Sequence, residues 1–446
     1  MKKGFNRNHL TVMALGNIIG SGVFLGSSTV ISIAGPAAVL SYLLGGVIMA
    51  MEVSFITEMS VVNPVPGAFR VHATEIFGPW IGFVNGWVFW FCGILGMASE
   101  VAAAAIFTRF WFPGIPMWMF CIVYSALMAA INLNDPRGLS RMEGILASVK
   151  IAALIFFILF GLFLTLRIIH VGSLRISNPL TSMHAFAPNG IRGILSSMIL
   201  VMFSYTGTGI IGLSIADAEN PEKDAPSAIR IIITSVLALF VLSALFTVLL
   251  TPWNRISSSA SPFVIILQHL KIPYSDSILN FIVLSAALSG LNSSMYSSSR
   301  MLNSLSRDGQ APRIFLKTNH NGVPIYALGT GSAALFLTAV LSYLIPSTVF
   351  VILATASGFL AMFNWLTISV TYYFYRKKTL KERPWKLRYK APGYPYAPWI
   401  EMALIVAILI TAPLYPGQLT GLAGGILLFL GLMAIYRILK KRGFLK

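Results

Sequence analysis

Two glycine-centred segments have the residue types to hold a small charged molecule. Residues 14–26 read Ala-Leu-Gly-Asn-Ile-Ile-Gly-Ser-Gly-Val-Phe-Leu-Gly, with Gly20-Ser21-Gly22 at the centre. Residues 203–212 read Phe-Ser-Tyr-Thr-Gly-Thr-Gly-Ile-Ile-Gly, with Gly207-Thr208-Gly209 near the middle. Glycine disfavours a continuous helix by about 1 kcal/mol each, so both centres are predicted to interrupt one. Small residues also serve close helix packing, which is the competing explanation for either segment taken alone. An interrupted helix exposes N–H groups where its second half starts and C=O groups where its first half ends. The N–H groups of residues 21–23 then form a positive nest suited to a carboxylate, aided by the helix dipole. Carbonyls of residues 17–19 and 203–206 form an electronegative patch suited to an ammonium group. Both features a few ångströms apart fit a zwitterionic α-amino acid, whereas a sugar would need neither. Phe203 and Tyr205, beside the second break, are packing groups or a lid over the bound molecule.

Charged side chains inside apolar sequence are the second chemical signal. Lys150 lies six residues beyond Gly144, and no charge follows until Arg167. Either it snorkels to the headgroups or it faces the interior, as a proton carrier or a fixed substitute for a bound cation. Glu100 follows a long uncharged stretch and either pairs with Arg109 or lines the pathway. Lys150 and Glu100 are the candidate proton-coupling residues. Glu52 and Glu58 read as members of structural ion pairs. The serines and Asn292 of residues 289–300 contact other helices or line an aqueous path. Residues 306–312 form a tight turn pinned by Gly309 and Pro312. Residues 216–226 hold the densest acidic cluster and read as a hinge or gate, with Pro221 and Pro226 ending one helix and starting the next. Trp87, Trp90 and Trp111 read as packing or interfacial groups. No His/Cys cluster, phosphate loop or nucleophile triad is found, so no metal and no cofactor is expected.

The elements that position these groups follow from composition. Of 446 residues, 56% are hydrophobic and only 10% charged, with a mean hydropathy of +0.79. Soluble chains carry roughly 25% charged residues, so this chain cannot cover a water-facing surface. The two cysteines, Cys92 and Cys121, sit in apolar runs and imply no disulfide framework. A spanning helix needs about 20 mostly apolar residues. Such runs cover residues 10–51 (broken at Gly35-Pro36), 76–99, 110–134, 144–166, 193–216, 231–250 and 277–299. Residues 318–375 are divided by Pro346, and residues 402–436 by Pro413 and Pro416. The fold class is therefore an all-α membrane protein with twelve transmembrane helices. A β-barrel would show short alternating segments instead. The first segment is too long for a cleaved signal. Residues 261–270 are too short to cross and predict a helix on the bilayer surface or over the pore mouth.

The formal net charge of +18 is a topology signal, and no nucleic acid is expected as a partner. With both termini placed in the cytoplasm, 25 of the 32 Lys+Arg fall on that side, six on the other, and Lys150 in the membrane. That asymmetry predicts a multi-pass cell-membrane protein with cytoplasmic N- and C-termini. The two glycine breaks fall in the first and the sixth spans. Two five-helix repeats of inverted topology produce that placement, and discontinuous helices at matching positions point to a transport site. The repeats are residues 1–168, with helices 1–5, and 191–378, with helices 6–10. Residues 396–440 hold helices 11 and 12.

With these segments in view, the chain resembles the amino acid–polyamine–organocation (APC) permeases, in their bacterial amino acid permease branch. The resemblance rests on residues 14–26, Gly35-Pro36, Pro66-Gly-Ala-Phe69, Phe77-Gly-Pro-Trp-Ile-Gly-Phe83 leading to Trp87, residues 203–226 and residues 289–312. It implies a LeuT-like core of five plus five helices followed by two accessory helices. It also implies that Gly20, Ser21 and Gly22 hold the substrate carboxylate, while carbonyls around Ile19, Phe203 and Tyr205, beside Gly207, hold the ammonium. Lys150 matches a lysine that replaces a sodium ion in sodium-independent relatives, which implies proton coupling. Many relatives carry a glutamate at the position of Gly209. Its absence implies a neutral, apolar substrate side chain, although Glu100 leaves a cationic one open.

The expected function is import of an α-amino acid by proton symport through alternating access, with membrane lipid as the other partner. A proton-independent amino acid exchanger is the alternative. A membrane-embedded amino acid sensor or channel is the alternative of another class. An enzyme is disfavoured, because no nucleophile, acid–base pair or metal cluster is found.

Overall fold

The computed structural model describes residues 7–65, 67–134, 136–169, 182–215, 220–256, 260–270, 272–320, 322–414 and 418–442. Among them the chain is mainly helical, and the one extended pairing is an isolated bridge between Thr318 and Pro324. Helices dominate because in hydrocarbon each backbone N–H and C=O must find its partner within its own segment.

The chain opens with α1 (Arg7–Ile18), bends, and continues through a widened π-type turn (Gly22–Gly26) into α2 (Ser27–Ala34). Gly35, at φ +65°, and Pro36 turn the chain into α3 (Ala38–Val62) at the break the sequence predicts. A short α4 (Ala68–Phe77) leads to the 31-residue α5 (Pro79–Arg109). Then come α6 (Met117–Asn134), α7 (Pro136–Thr165), a single turn α8 (Met183–Phe186), and α9 (Gly190–Tyr205). A 3₁₀ turn (Thr206–Thr208) joins α9 to α10 (Gly209–Ile215), and α11 (Pro221–Leu250) and α12 (Pro262–Leu270) follow. The chain ends with α13 (Ser275–Arg307), α14 (Ile325–Leu344), α15 (Val349–Glu382), α16 (Tyr396–Thr411) and α17 (Gln418–Lys441). Pro346 falls between α14 and α15, and Pro413 between α16 and α17, as expected. Among the described residues, nine helical stretches are long and apolar enough to span a bilayer, and two shorter apolar helices, residues 117–133 and 396–411, accompany them. The chain is a multi-pass membrane protein.

Packing places α5, α13 and α15 at the centre, with α3 against α11, α6 against α14, and α2 against α9. The last helix, α17, is the most exposed candidate span, with 17% of its apolar window buried, so it lies at the periphery. The short α12 does not lie on a lipid surface. Its Phe263 is buried and makes edge contacts with Phe24, at 5.6 Å between centroids, and Phe157, at 4.5 Å. It therefore covers the widened turn of the first helix.

Polar ties fix the ends of the bundle. Arg70 of α4 is 1% exposed and reaches Asp308 Oδ2 at 2.5 Å, Ser304 Oγ at 3.0 Å and Gln310 Oε1 at 3.1 Å. The turn that presents Asp308 and Gln310 depends on Gly309 at φ +70°. Glu58 forms the expected structural ion pair, with Arg376 at 3.1 Å, and also accepts from Tyr372 Oη and the Ala391 amide. Glu52 does not. It is 0% exposed and has no hydrogen-bond partner among the described residues, and the charge that bears on it is that of another carboxyl, Glu401. Within the acidic segment, residues 216–219 lie outside the described residues. Beyond them Pro221 opens α11, Pro226 sits inside it rather than starting it, and Glu222 lies 3.7 Å from Arg388.

Candidate substrate site

The first break follows the glycine pattern. The last regular bond of α1 reaches Ile19, whose N–H donates to the Leu15 carbonyl at 3.1 Å. The chain then bends at Ile19 and Gly20 and resumes helical form at Ser21. Gly22 lets this segment touch α9: a Cβ there would fall 2.7 Å from Ser204 Cα. Gly20 is equally constrained, since a Cβ on it would run into the Glu100 carboxylate.

The sixth helical segment departs from expectation. It is tightened, not unwound: α9 passes through one 3₁₀ turn and continues as α10. Hydroxyls that follow the carbonyls take up much of their hydrogen-bonding capacity. Thr206 Oγ1 donates to the Phe203 carbonyl at 2.8 Å and Thr208 Oγ1 to the Tyr205 carbonyl at 3.1 Å. The Gly207 carbonyl accepts from Asn17 Nδ2 at 2.6 Å. A Cβ on Gly207 would lie 2.6 Å from the Asn17 carbonyl oxygen, so the two glycine segments are in backbone contact.

Glu100 and Lys150 both face this junction. The Ser21 amide, the first freed donor of the second half-helix, donates to both Glu100 carboxylate oxygens at 3.1 Å. Glu100 sits between glycines of two helices, since a Cβ on Gly290 would lie 2.9 Å from its Oε1. It is 7% exposed and lines the cavity rather than pairing with the exposed Arg109. Lys150 is 0% exposed and does not snorkel. Its Nζ donates to the Gly16 carbonyl and to Ser289 Oγ, the latter at 2.8 Å. The ammonium thus occupies the carbonyl end of the first half-helix, where the dipole favours a cation. Its charge also acts on Glu100.

A cavity opens between these groups. Asn17, Ile18, Gly20, Gly22, Phe203 and Gly207 line it from the two interrupted segments. The α5 stripe Phe89, Cys92, Gly93, Gly96 and Glu100 lines it from one side, and Ser294, Ser297 and Ser357 from α13 and α15. The expected residues therefore separate into those at the cavity wall and those beside it. Ile19 is fully buried, and Ser21, also buried, contributes its backbone N–H. Tyr205 turns away: its hydroxyl donates to the Tyr42 carbonyl at 2.9 Å and its ring lies 5.1 Å from Phe240. Of the two aromatics read as a lid, Phe203 alone faces the cavity.

The amino acid permease family model matches residues 9–445. The chain belongs to the amino acid permease family. It is 33% identical to the γ-aminobutyric acid permease of Bacillus subtilis, over 99% of this chain and 94% of that protein. It is 33% identical to the amino-acid permease RocE of the same organism, over 99% and 96%. The aromatic amino acid transport protein AroP of Escherichia coli is 33% identical over 94% and 91%. A chain of this family is a transporter and not an enzyme.

In this permease the residues that sequence reading missed are Phe89, Cys92, Gly93, Gly96 and Gly290. The α5 set recurs at helical spacing and ends in Glu100, so one polar and small-residue stripe carried the signal. Asn17 was noticed for its carbonyl, whereas its side-chain amide is what bridges the two breaks.

Proposed function

We propose that this permease is a secondary active transporter that imports a neutral α-amino acid by proton symport. The observation that carries this reading is the Glu100 carboxylate on the Ser21 amide. An amino acid carboxylate seeking that donor must displace a carboxylate already there. Two carboxylates sharing one nest repel, so displacement favours a proton on Glu100. Substrate binding and proton uptake then become one event. Gly20 and Gly22 leave room for the substrate carboxylate, and the ammonium turns to the carbonyl end of the first half-helix around Ile19, because the carbonyls of Phe203 and Tyr205 are engaged by Thr206 and Thr208. Lys150 keeps a fixed positive charge beneath the first half-helix.

A neutral side chain is supported by Gly209. A Cβ there would lie 2.8 Å from the Phe89 ring, so an aromatic group fills the space that an acidic side chain would need. Among the described lining residues, Glu100 is the one ionisable carboxyl or cation.

The layout assigned to this reading is twelve membrane helices in the cell membrane with both termini cytoplasmic. They form a LeuT-like core of residues 1–168 and 191–378 plus accessory residues 396–440. Four packed pairs support the inverted repeat: α2 with α9, α3 with α11, α5 with α13 and α6 with α14. Each pairs a helix of the first repeat with its counterpart five spans later, as helices near a pseudo-two-fold axis do.

Reconstituted protein with an imposed pH gradient tests the reading. Symport requires stimulated uptake into vesicles without internal substrate. A strict need for internal amino acid means exchange, and binding without accumulation means a sensor.

A further inference from the structure

Outside the transport cavity, two carboxyls are buried within the helix bundle, on helices that pack against each other. Glu52 of α3 and Glu401 of α16 are each 0% exposed, and the charge of Glu401 bears on Glu52. Neither oxygen of Glu52 has a hydrogen-bond partner among the described residues, and Glu401 Oε1 has none either. Glu401 Oε2 accepts from Ser369 Oγ of α15 at 2.8 Å. The peripheral α16 packs on α3, α9 and α15, so this contact lies where an outer helix joins the core.

Other ionisable groups on the surrounding elements are engaged with partners of their own or exposed. On α3 and α15, Glu58 and Arg376 bind each other at 3.1 Å, and Tyr372 donates to Glu58. On α4, Arg70 is held by Asp308, Glu75 lies 3.4 Å from Lys378 of α15, and His72 meets Tyr375 edge-on. From α9, Tyr205 is tied to the Tyr42 carbonyl, while Arg192 and, on α11, Arg230 are exposed. No cation among the described residues is hydrogen-bonded to Glu52 or Glu401. Burying an ionised carboxylate without a donor or counter-charge is strongly unfavourable, and two adjacent ones more so. A proton on the pair removes charge and supplies the donor that the three bare oxygens lack.

We propose that Glu52 and Glu401 form a second proton-binding site, which in its protonated state seats α16 against α3 and α15. The site stands independently of the transport cavity, and its test needs no transport assay.

Infrared spectra of the protein in lipid at neutral pH, compared between the unaltered chain, E52Q and E401Q, report the protonation state directly. The expected result is loss of carboxylic-acid carbonyl intensity in each variant. Loss of ionised-carboxylate intensity from both variants overturns the proposal. Glutamine has the shape of the neutral acid, so failure of both variants to fold also counts against it.

Thermal unfolding across neutral to alkaline pH gives the second arm. A pair that stays protonated when folded holds protons the unfolded chain releases above about pH 4.3. The unaltered protein should then lose on the order of one to two degrees per pH unit relative to the E52Q/E401Q double variant. Parallel curves, or stabilisation by sodium but not by choline that the double variant lacks, would mean that no proton is held there.

Discussion

Ser21 gives its backbone N–H to both carboxylate oxygens of Glu100, at 3.1 Å each. One residue supplies the first freed amide of an interrupted helix, and the other supplies a carboxylate from α5. The chain thus places its own acid on the amide that the proposed symport gives to the substrate carboxylate, and under that proposal the occupancy of the amide is the switch between empty and loaded states.

Replacing Glu100 by Gln leaves a neutral side chain that cannot take up a proton. Gradient-driven accumulation should fall at least about tenfold, an effect of at least 1.4 kcal/mol on the coupled step. Counterflow of labelled substrate at equal concentrations should survive. Accumulation that still follows the pH gradient in E100Q would remove Glu100 from coupling.

Lys150→Ala takes away the cation on the Gly16 carbonyl and on Ser289. A buried acceptor left without its donor costs about 1–3 kcal/mol, so the variant should fold with a lowered unfolding midpoint. Its proton-driven uptake should drop sharply. Normal gradient dependence in folded Lys150→Ala would show that the lysine is structural.

Gly207→Ala puts a methyl group 2.6 Å from the Asn17 carbonyl oxygen and 2.8 Å from Ile18 Cα. Both neighbours are backbone, so neither yields as a flexible side chain would, and overpacking of this kind costs about 1–3 kcal/mol. Transport should be lost together with part of the stability. Gly424→Ala, which meets nothing within 4 Å, is the control and should transport normally.

The legible part of this architecture is the part written in local composition. Apolar runs and the breaks at Pro36, Pro346 and Pro413 mark helix boundaries because a missing N–H or a fixed φ acts on its own segment. The cluster Gly20-Ser21-Gly22 likewise marks the bend after α1. The sixth segment reads the same way, yet Thr206 and Thr208 back-bond to their own helix and keep it closed, a choice that glycine spacing does not reveal. Glu52 reads as an ion-pair member because carboxyls near basic loops usually are. That its neighbour is Glu401, hundreds of residues away, is a fact of tertiary packing. The same holds for Glu100, which takes a backbone N–H from Ser21, a partner that side-chain spacing does not mark.

His72 lies on α4, away from the candidate spans, where burial pushes its imidazole down to about 4. Among the described residues neither ring nitrogen has a partner, and the ring lies 5.1 Å from Tyr375. The unfolded chain therefore binds a proton below about pH 6.5 that the folded chain refuses until about pH 4. Stability should fall as pH drops through that window, by up to about 3 kcal/mol. His72→Phe should flatten the unfolding midpoint between pH 6.5 and 4. An unchanged slope would mean that other groups set the acid sensitivity.

Calorimetric titration of the purified permease with a neutral amino acid, repeated in buffers of different ionisation enthalpy, counts the protons exchanged on binding. Substrate displacing Glu100 from Ser21 predicts proton uptake by the unaltered protein that rises toward one per molecule bound as the pH is raised above neutral, and none by E100Q. Tight binding with no proton exchanged by the unaltered protein would contradict it.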